Sequence, residues 1–232
     1  MSIIAEKTTQ VVREINEFCA AAGRQPDTVT LLAVSKTRSA DEVREAFQLG
    51  LRCFGENYLQ EALEKMADLT DLDIEWHFIG PIQSNKTRLI AQTFSWVHSV
   101  DRLKIAQRLS EQRPEHLPPL NVCLQVNIDD EQSKSGCSMT EALALAQQID
   151  ALPNLKLRGL MAIPAPTDDT AQQRRSFAAI ARLADELNQQ GLHLDTLSMG
   201  MSSDLQAAIE EGSTLVRVGT ALFGPRPAKT TE

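Results

Sequence analysis

The chain has 232 residues, 42% of them hydrophobic, enough for a full core in one large domain or two small ones. Its formal net charge is −8, so it lacks the basic footprint of a protein that binds duplex or single-stranded nucleic acid. Four scattered cysteines (Cys19, Cys53, Cys123 and Cys137), with no C-x-x-C pair and no histidine at ligand spacing, argue against zinc and suit a thiol-tolerating cytoplasm.

No apolar signal core opens the sequence, and no uninterrupted apolar run is long enough to span a bilayer. A periodic segment from Glu6 to Ala22 predicts an N-terminal helix. "LLAVSKT" follows, an apolar run that reads as a buried strand and ends on Lys36 with no acidic residue beside it. Further strands are expected near 52–55, 75–79, 96–99, 121–127, 157–163, 196–199 and 215–220, several of them apolar enough to be covered on both faces. Helices should lie between them. Ser39-x-x-Glu42, Ser138-x-x-Glu141 and Ser203-x-x-Gln206 each have the form of a capping box, and Gly50, Gly191 and Gly212 sit where a helix would stop. Eight strands alternating with helices predict an α/β protein, a single (β/α)8 TIM barrel over residues 1–232. A doubly wound open sheet is the alternative, because alternation alone does not show closure.

In such a barrel, function sits at the C-terminal ends of the strands, and the loops after strands 7 and 8 often hold phosphate. "MGMSSDLQAAIEEG" places Ser202 and Ser203 at the start of a helix, and "RVGTALFG" places Gly219 and Thr220 just past strand 8. Both loops read as small, donor-rich and free of acidic residues at the turn, as an anion site requires. Arg217 lies between Val216 and Val218 and should point into the barrel if the valines pack outward. A buried guanidinium needs acceptors, either a ligand atom or a barrel carboxylate such as Glu56 or Glu75. Lys36 ends strand 1, which neighbours strand 8 after closure, and an amine in a semi-apolar pocket is available for a Schiff base. Phosphate cradle, inward arginine and Schiff-base lysine describe a site for pyridoxal 5′-phosphate or for a phosphorylated carbonyl substrate.

Other residues carry weaker signals. Asn57, at the end of strand 2, either reaches a ligand or caps a helix. His77 reads as a core histidine, while His98, His116 and His193 form no visible cluster with one another. Lys134 lies in "DDEQSKSG", a polar loop that would be solvated or would cover the barrel mouth.

"AVSKT", "FGENYLQE", "WHFIGPIQSNK", "SKSG", "RGLMAI", "LSMGMSSDLQAAI" and "VRVGTALFG" stand in an order that resembles the pyridoxal phosphate homeostasis protein family, the YggS-like proteins, through nearly the whole chain. The resemblance implies a barrel like the N-terminal domain of alanine racemase, preceded by the extra helix, with pyridoxal phosphate as an internal aldimine on Lys36. It implies Arg217 at the pyridine nitrogen, Ser202, Gly219 and Thr220 on the phosphate, and Asn57 near the cofactor. Arg38-Ser39 departs from the lysine-proline of many members and puts a second amine beside Lys36 in doubt. An arginine at the ring nitrogen makes the ring a poorer electron sink, and the chain stops about ten residues after the last strand, short of a second acid/base domain. The expectation is therefore a non-enzymatic, monomeric, cytoplasmic protein that holds the cofactor for vitamin B6 homeostasis and passes it to pyridoxal phosphate-dependent apoenzymes. A small amino acid racemase using the same site is the alternative, ahead of a Schiff-base aldolase, which lacks an identifiable acid/base pair. Neither Lys134 nor another lysine can be assigned as a second cofactor point from sequence.

Overall fold

Short β-branched and apolar runs form strands that each pair with their neighbours in sequence, and the last pairs with the first. The computed structural model describes residues 2–129 and 135–225. In it β1 (Thr30–Val34), β2 (Cys53–Glu56), β3 (Glu75–Phe78), β4 (Trp96–Val100), β5 (Leu120–Val126), β6 (Leu155–Ala162), β7 (Thr196–Ser198) and β8 (Leu215–Val218) make a closed parallel barrel in chain order. Ala33 of β1 is the closing point, paired with Phe54 of β2 on one side and Val218 of β8 on the other. No strand keeps a free edge, which excludes the open sheet.

The helices α1 (Ile3–Ala21), α2 (Ala40–Gln48), α3 (Leu59–Asp68), α4 (Thr87–Thr93) and α5 (Leu103–Gln112) surround the first half. The second half carries α6 (Ala142–Asp150), α7 (Thr170–Gln189), α8 (Leu205–Glu210) and α9 (Thr220–Phe223). Local chemistry sets several of their ends. The Ser39 hydroxyl accepts the Glu42 amide at 3.2 Å while Glu42 Oε2 accepts the Ser39 amide at 2.8 Å, a complete capping box. At its far end Gly50 adopts φ 100° and Leu51 donates back to the Ala46 carbonyl, and Gly191 and Gly212 end α7 and α8 in the same way. Ser138 and Glu141 exchange the expected bonds within a turn, and α6 begins just after it at Ala142. The Ser203–Gln206 box does not form. Asp204 accepts the Met201 amide at 2.6 Å, Gln206 turns to Glu210, and α8 starts at Leu205.

Alternation along each strand divides the interior in two. Outward residues such as Ala33, Phe54, Val97, Val122, Leu160, Val216 and Val218 pack with Val43, Ile105, Leu109, Phe177 and Ile180 from the helices in one continuous core. The barrel lumen holds a separate small cluster of Trp96, Cys123 and Met161. Alongside it lie buried His77, His98, Ser198 and Arg217, an unusually polar filling that must satisfy itself by hydrogen bonding. Among the described residues no helix is long and apolar enough to cross a membrane.

Candidate functional site

Lys36 follows β1 in a turn at the C-terminal mouth of the barrel, half-buried. Its neighbours in sequence are both tied down. Ser35 points outward, donates to Glu56 Oε1 at 2.6 Å, and its carbonyl accepts Lys65 Nζ at 2.7 Å. Thr37 sits at φ 63°, a left-handed conformation rare for a β-branched residue, and its amide donates to Glu61 Oε1 at 2.5 Å. Lys65 Nζ joins the two carboxylates, 2.6 Å from Glu56 and 3.2 Å from Glu61. Burial pushes the Glu56 carboxyl up despite the pull of Lys65 and Ser35. This packed ionic group lies behind the strand end, so the turn presents Lys36 from a braced backbone.

A narrow cleft of about 40 Å³ beside Lys36 is bordered by Val34, Arg38, Gly219 and Thr220. Lys36 therefore meets two of the residues expected on a phosphate. A Cβ at Gly219 would stand 3.3 Å from the Val34 carbonyl oxygen, tight enough to press on the Lys36 strand. Thr220 opens α9 and is exposed, and the helix's first bonds run from the Leu222 and Phe223 amides to the Gly219 carbonyl, so the Thr220 and Ala221 amides precede its ladder. Ser202 is exposed in the loop after β7, where Gly200 adopts φ 96° and a Cβ would fall 2.5 Å from that of Ala208. That loop is not free of acid as expected, because the late start of α8 leaves Asp204 within the turn, its carboxyl raised by burial.

Arg217 points into the lumen, as the flanking valines predicted, and is 4% exposed. Neither Glu56 nor Glu75 pairs with it. Glu56 has the parity of Phe54 and faces outward to Lys65, while Glu75 lies at the opposite, N-terminal end of the barrel. The guanidinium instead donates from Nη1 to the Ser198 carbonyl (2.5 Å) and hydroxyl (2.7 Å), and from Nη2 to the Ala162 carbonyl (2.9 Å). Burial lowers its pKa to about 10, with Asp204 pulling the other way, so it stays cationic at neutral pH. Below it, Ser198 Oγ lies 2.7 Å from His98 Nδ1, His98 Nε2 lies 2.8 Å from His77 Nδ1, and His77 Nε2 lies 3.0 Å from Glu75 Oε1.

Sequence reading missed this chain, because its members lie on four strands as far apart as residues 75 and 217. Strand parity would have found it, since it places His77, His98, Ser198 and Arg217 on lumen faces. Asn57 does not cap α3, whose N-cap is Tyr58, and its side-chain oxygen is buried with no partner. Arg38 lends no second amine to the cleft. It bonds Glu42 and the carbonyls of Gly224 and Pro225, tying the β1 loop to the end of α9. Lys134 lies outside the described residues. Cys53, Glu75 and His77 offer ligand atoms within 4.8 Å of one another, but Glu75 Oε1 already accepts from both neighbours.

A glycine-lined approach at Gly219 and a half-buried amine at Lys36 fit an anionic carbonyl compound at this mouth, whereas Asn57 borders a separate hollow with Tyr58, Pro81 and Lys86. The family model for the alanine racemase N-terminal domain matches residues 10–227. The pyridoxal phosphate homeostasis protein of Pseudomonas aeruginosa is 66% identical over 226 residues, 97% of each chain. That of Escherichia coli K12 is 50% identical, covering 97% of this chain and 98% of its own. PipY of Synechococcus elongatus, solved with pyridoxal phosphate bound, is 40% identical with TM-score 0.83 over 95% of this chain and all of its own. Alanine racemase of Corynebacterium glutamicum shares the fold, with TM-score 0.71 at 19% identity, over 99% of this chain and 63% of its own.

Proposed function

The chain belongs to the pyridoxal phosphate homeostasis protein family, and on that premise we propose that it binds pyridoxal 5′-phosphate as a Schiff base on Lys36. In this reading it buffers the vitamin B6 pool and hands cofactor to apoenzymes as a monomer, without catalysing a reaction of its own. The observation that carries it is the juxtaposition of half-buried Lys36 with Gly219 and Thr220 across one cleft. When bound, the cofactor supplies an aldehyde that condenses reversibly with amines and a ring that can withdraw electrons.

The residues divide the work. Lys36 supplies the anchoring amine, held out from the lumen wall by the braced Ser35–Thr37 turn. Gly219 lets backbone approach the phosphate, and Ser202 and Thr220 offer hydroxyls to it. Asn57, just past the end of β2, would reach the cofactor from the neighbouring loop. Arg217 would face the pyridine nitrogen. Its fixed positive charge disfavours a second positive charge on the ring, which limits electron withdrawal. Among the described residues, those bordering the Lys36 cleft are Val34, Arg38, Gly219 and Thr220, none of which moves protons at neutral pH. That composition supports a holder over a racemase.

The test is spectroscopic. Purified protein incubated with pyridoxal phosphate should show a visible band that survives dialysis, becomes permanent on borohydride reduction and maps to the peptide carrying Lys36. Lys36→Ala should abolish it. A colourless, folded native protein that cannot be reconstituted would overturn the reading. Exchange of the alanine α-proton in deuterated water, dependent on Lys36, would show a racemase instead.

A further inference from the structure

We propose that Glu75, His77 and His98 are positioning residues for Arg217, joined to it through Ser198 by a hydrogen-bond chain of fixed direction that runs the length of the barrel lumen. The direction follows from donor counting. A carboxylate only accepts, so the His77 Nε2 facing Glu75 Oε1 at 3.0 Å carries the hydrogen. A neutral imidazole has one N–H, which leaves His77 Nδ1 to accept from His98 Nε2 at 2.8 Å. His98 Nδ1 then accepts, and the Ser198 hydroxyl donates to it at 2.7 Å. The lone pairs of Ser198 Oγ are thereby turned to Arg217 Nη1, also 2.7 Å away. Each donor points towards Glu75.

Burial favours neutral rings, although Glu75 pulls His77 the other way. Burial still holds His77 below the ordinary histidine range and His98 well below it, with His77 and Arg217 adding to the effect on His98. The His77 ring is also stacked on Trp96, 5.3 Å between centroids at 7°, which fixes the plane from which its nitrogens bond. Reversal is unfavourable for a specific reason. If His98 Nδ1 donated, the serine proton would need another acceptor, and the guanidinium has none to give. An unmatched buried donor would then sit against the cation. The carboxylate at one end and the guanidinium at the other thus favour the same direction, and with it the way the hydroxyl points beside Arg217. The consequence for the ligand rests on the cofactor reading above: Arg217 would meet the pyridine nitrogen in one orientation.

Two measurements separate the chain from that reading. In cofactor-free protein, long-range proton–nitrogen NMR of the histidine rings should give both His77 and His98 as uncharged Nε2–H tautomers between pH 6 and 7.5. The variant Glu75→Gln keeps the shape of a side chain that is 46% exposed but lets it donate as well as accept. With the carboxylate's share of that preference removed, part of the His98 population should move to the Nδ1–H form, two hydrogen bonds away. With pyridoxal phosphate added, the same variant should raise Kd by about two- to thirty-fold, the range of long-distance couplings, and shift the absorbance maximum of the bound cofactor. In a Ser198→Ala background, which breaks the link, Glu75→Gln should have no further effect on Kd. An Nδ1–H tautomer at either ring in the native protein, an unchanged His98 in Glu75→Gln, or an undiminished effect in Ser198→Ala would each overturn the proposal. Failure of native protein to bind cofactor would sink the functional reading and leave the tautomer result standing.

Discussion

Replacing Lys65 with methionine should destabilise the protein more than any surface substitution and in a pH-dependent way. The Lys65 side chain is 4% exposed and Glu56 is 0% exposed, with 2.6 Å between Nζ and Oε1. Methionine fills the stem volume but removes the ammonium. Glu56 would then keep one donor, the Ser35 hydroxyl, while its Oε2 already has none. Breaking one side of a buried ion pair costs about 3–5 kcal/mol, which for a domain of this size lowers Tm by roughly 6–20 °C. The sign of the pH effect follows from Glu56. Burial raises its folded pKa, so its contribution to stability is fully present below the unfolded carboxylate range and is lost as pH rises through the folded value. Loss of Lys65 pushes that value higher, so the deficit should be largest at pH 7.5 and shrink towards pH 5. Urea unfolding followed by circular dichroism at both pH values measures it. The double variant Lys65→Met with Glu56→Leu should recover most of the loss, since a well-packed apolar pair replaces a buried ionic one without penalty. A deficit below about 1 kcal/mol, the value of an exposed pair, or one that neither low pH nor Glu56→Leu reduces, would refute the reasoning.

Gly200→Ala should cost about 1–3 kcal/mol in thermal unfolding, because a Cβ there meets Ala208 at 2.5 Å on a backbone at φ 96°. Gly50→Ala, at φ 100° with open space around it, should cost less and serves as the conformational control. Burial holds the thiols of Cys53, Cys123 and Cys137 up at about 12, so iodoacetamide at pH 8 should leave them unmodified until urea unfolds the chain. Mass spectrometry of the native protein reads this directly.

The fold was legible because its signals are local. Ser39 and Glu42 make their capping box, Gly50, Gly191 and Gly212 stop their helices, and the strand runs fall within a few residues of their expected places. Lys36, Gly219 and Thr220 were legible as a group for a topological reason, since closure of a parallel barrel brings the end of β1 beside the end of β8. What stayed hidden depends on partners remote in sequence. Glu56 was a candidate acceptor for Arg217, yet it shares its face with Phe54 and belongs to Lys65, nine residues on. His98 finds His77 rather than His116 or His193, because parity and neighbouring strands put the first two in one lumen. Asp204 was counted as helical and proved to be the residue that ties the loop, which a serine hydroxyl competing with a carboxylate does not do.

Arg217 is the point where these layers meet. Buried charge is expensive unless paired, and among the described residues no carboxylate pairs with this guanidinium; its acceptors are two carbonyls and a hydroxyl. Hydrogen-bonding demand is met in part, but the charge is not cancelled. Asp204 acts on it only at longer range from a loop it shares with Ser202. A cation held in this way lies buried beneath the mouth of the barrel in a protein whose net charge is −8. An anionic ligand seated on the loops after β7 and β8, as proposed, would bring negative charge towards this guanidinium. On the proposed reading, therefore, the arginine stabilises the loaded state by its charge, while its fixed direction, supported by Glu75 through two histidines and a serine, keeps the bound ring a weak electron sink.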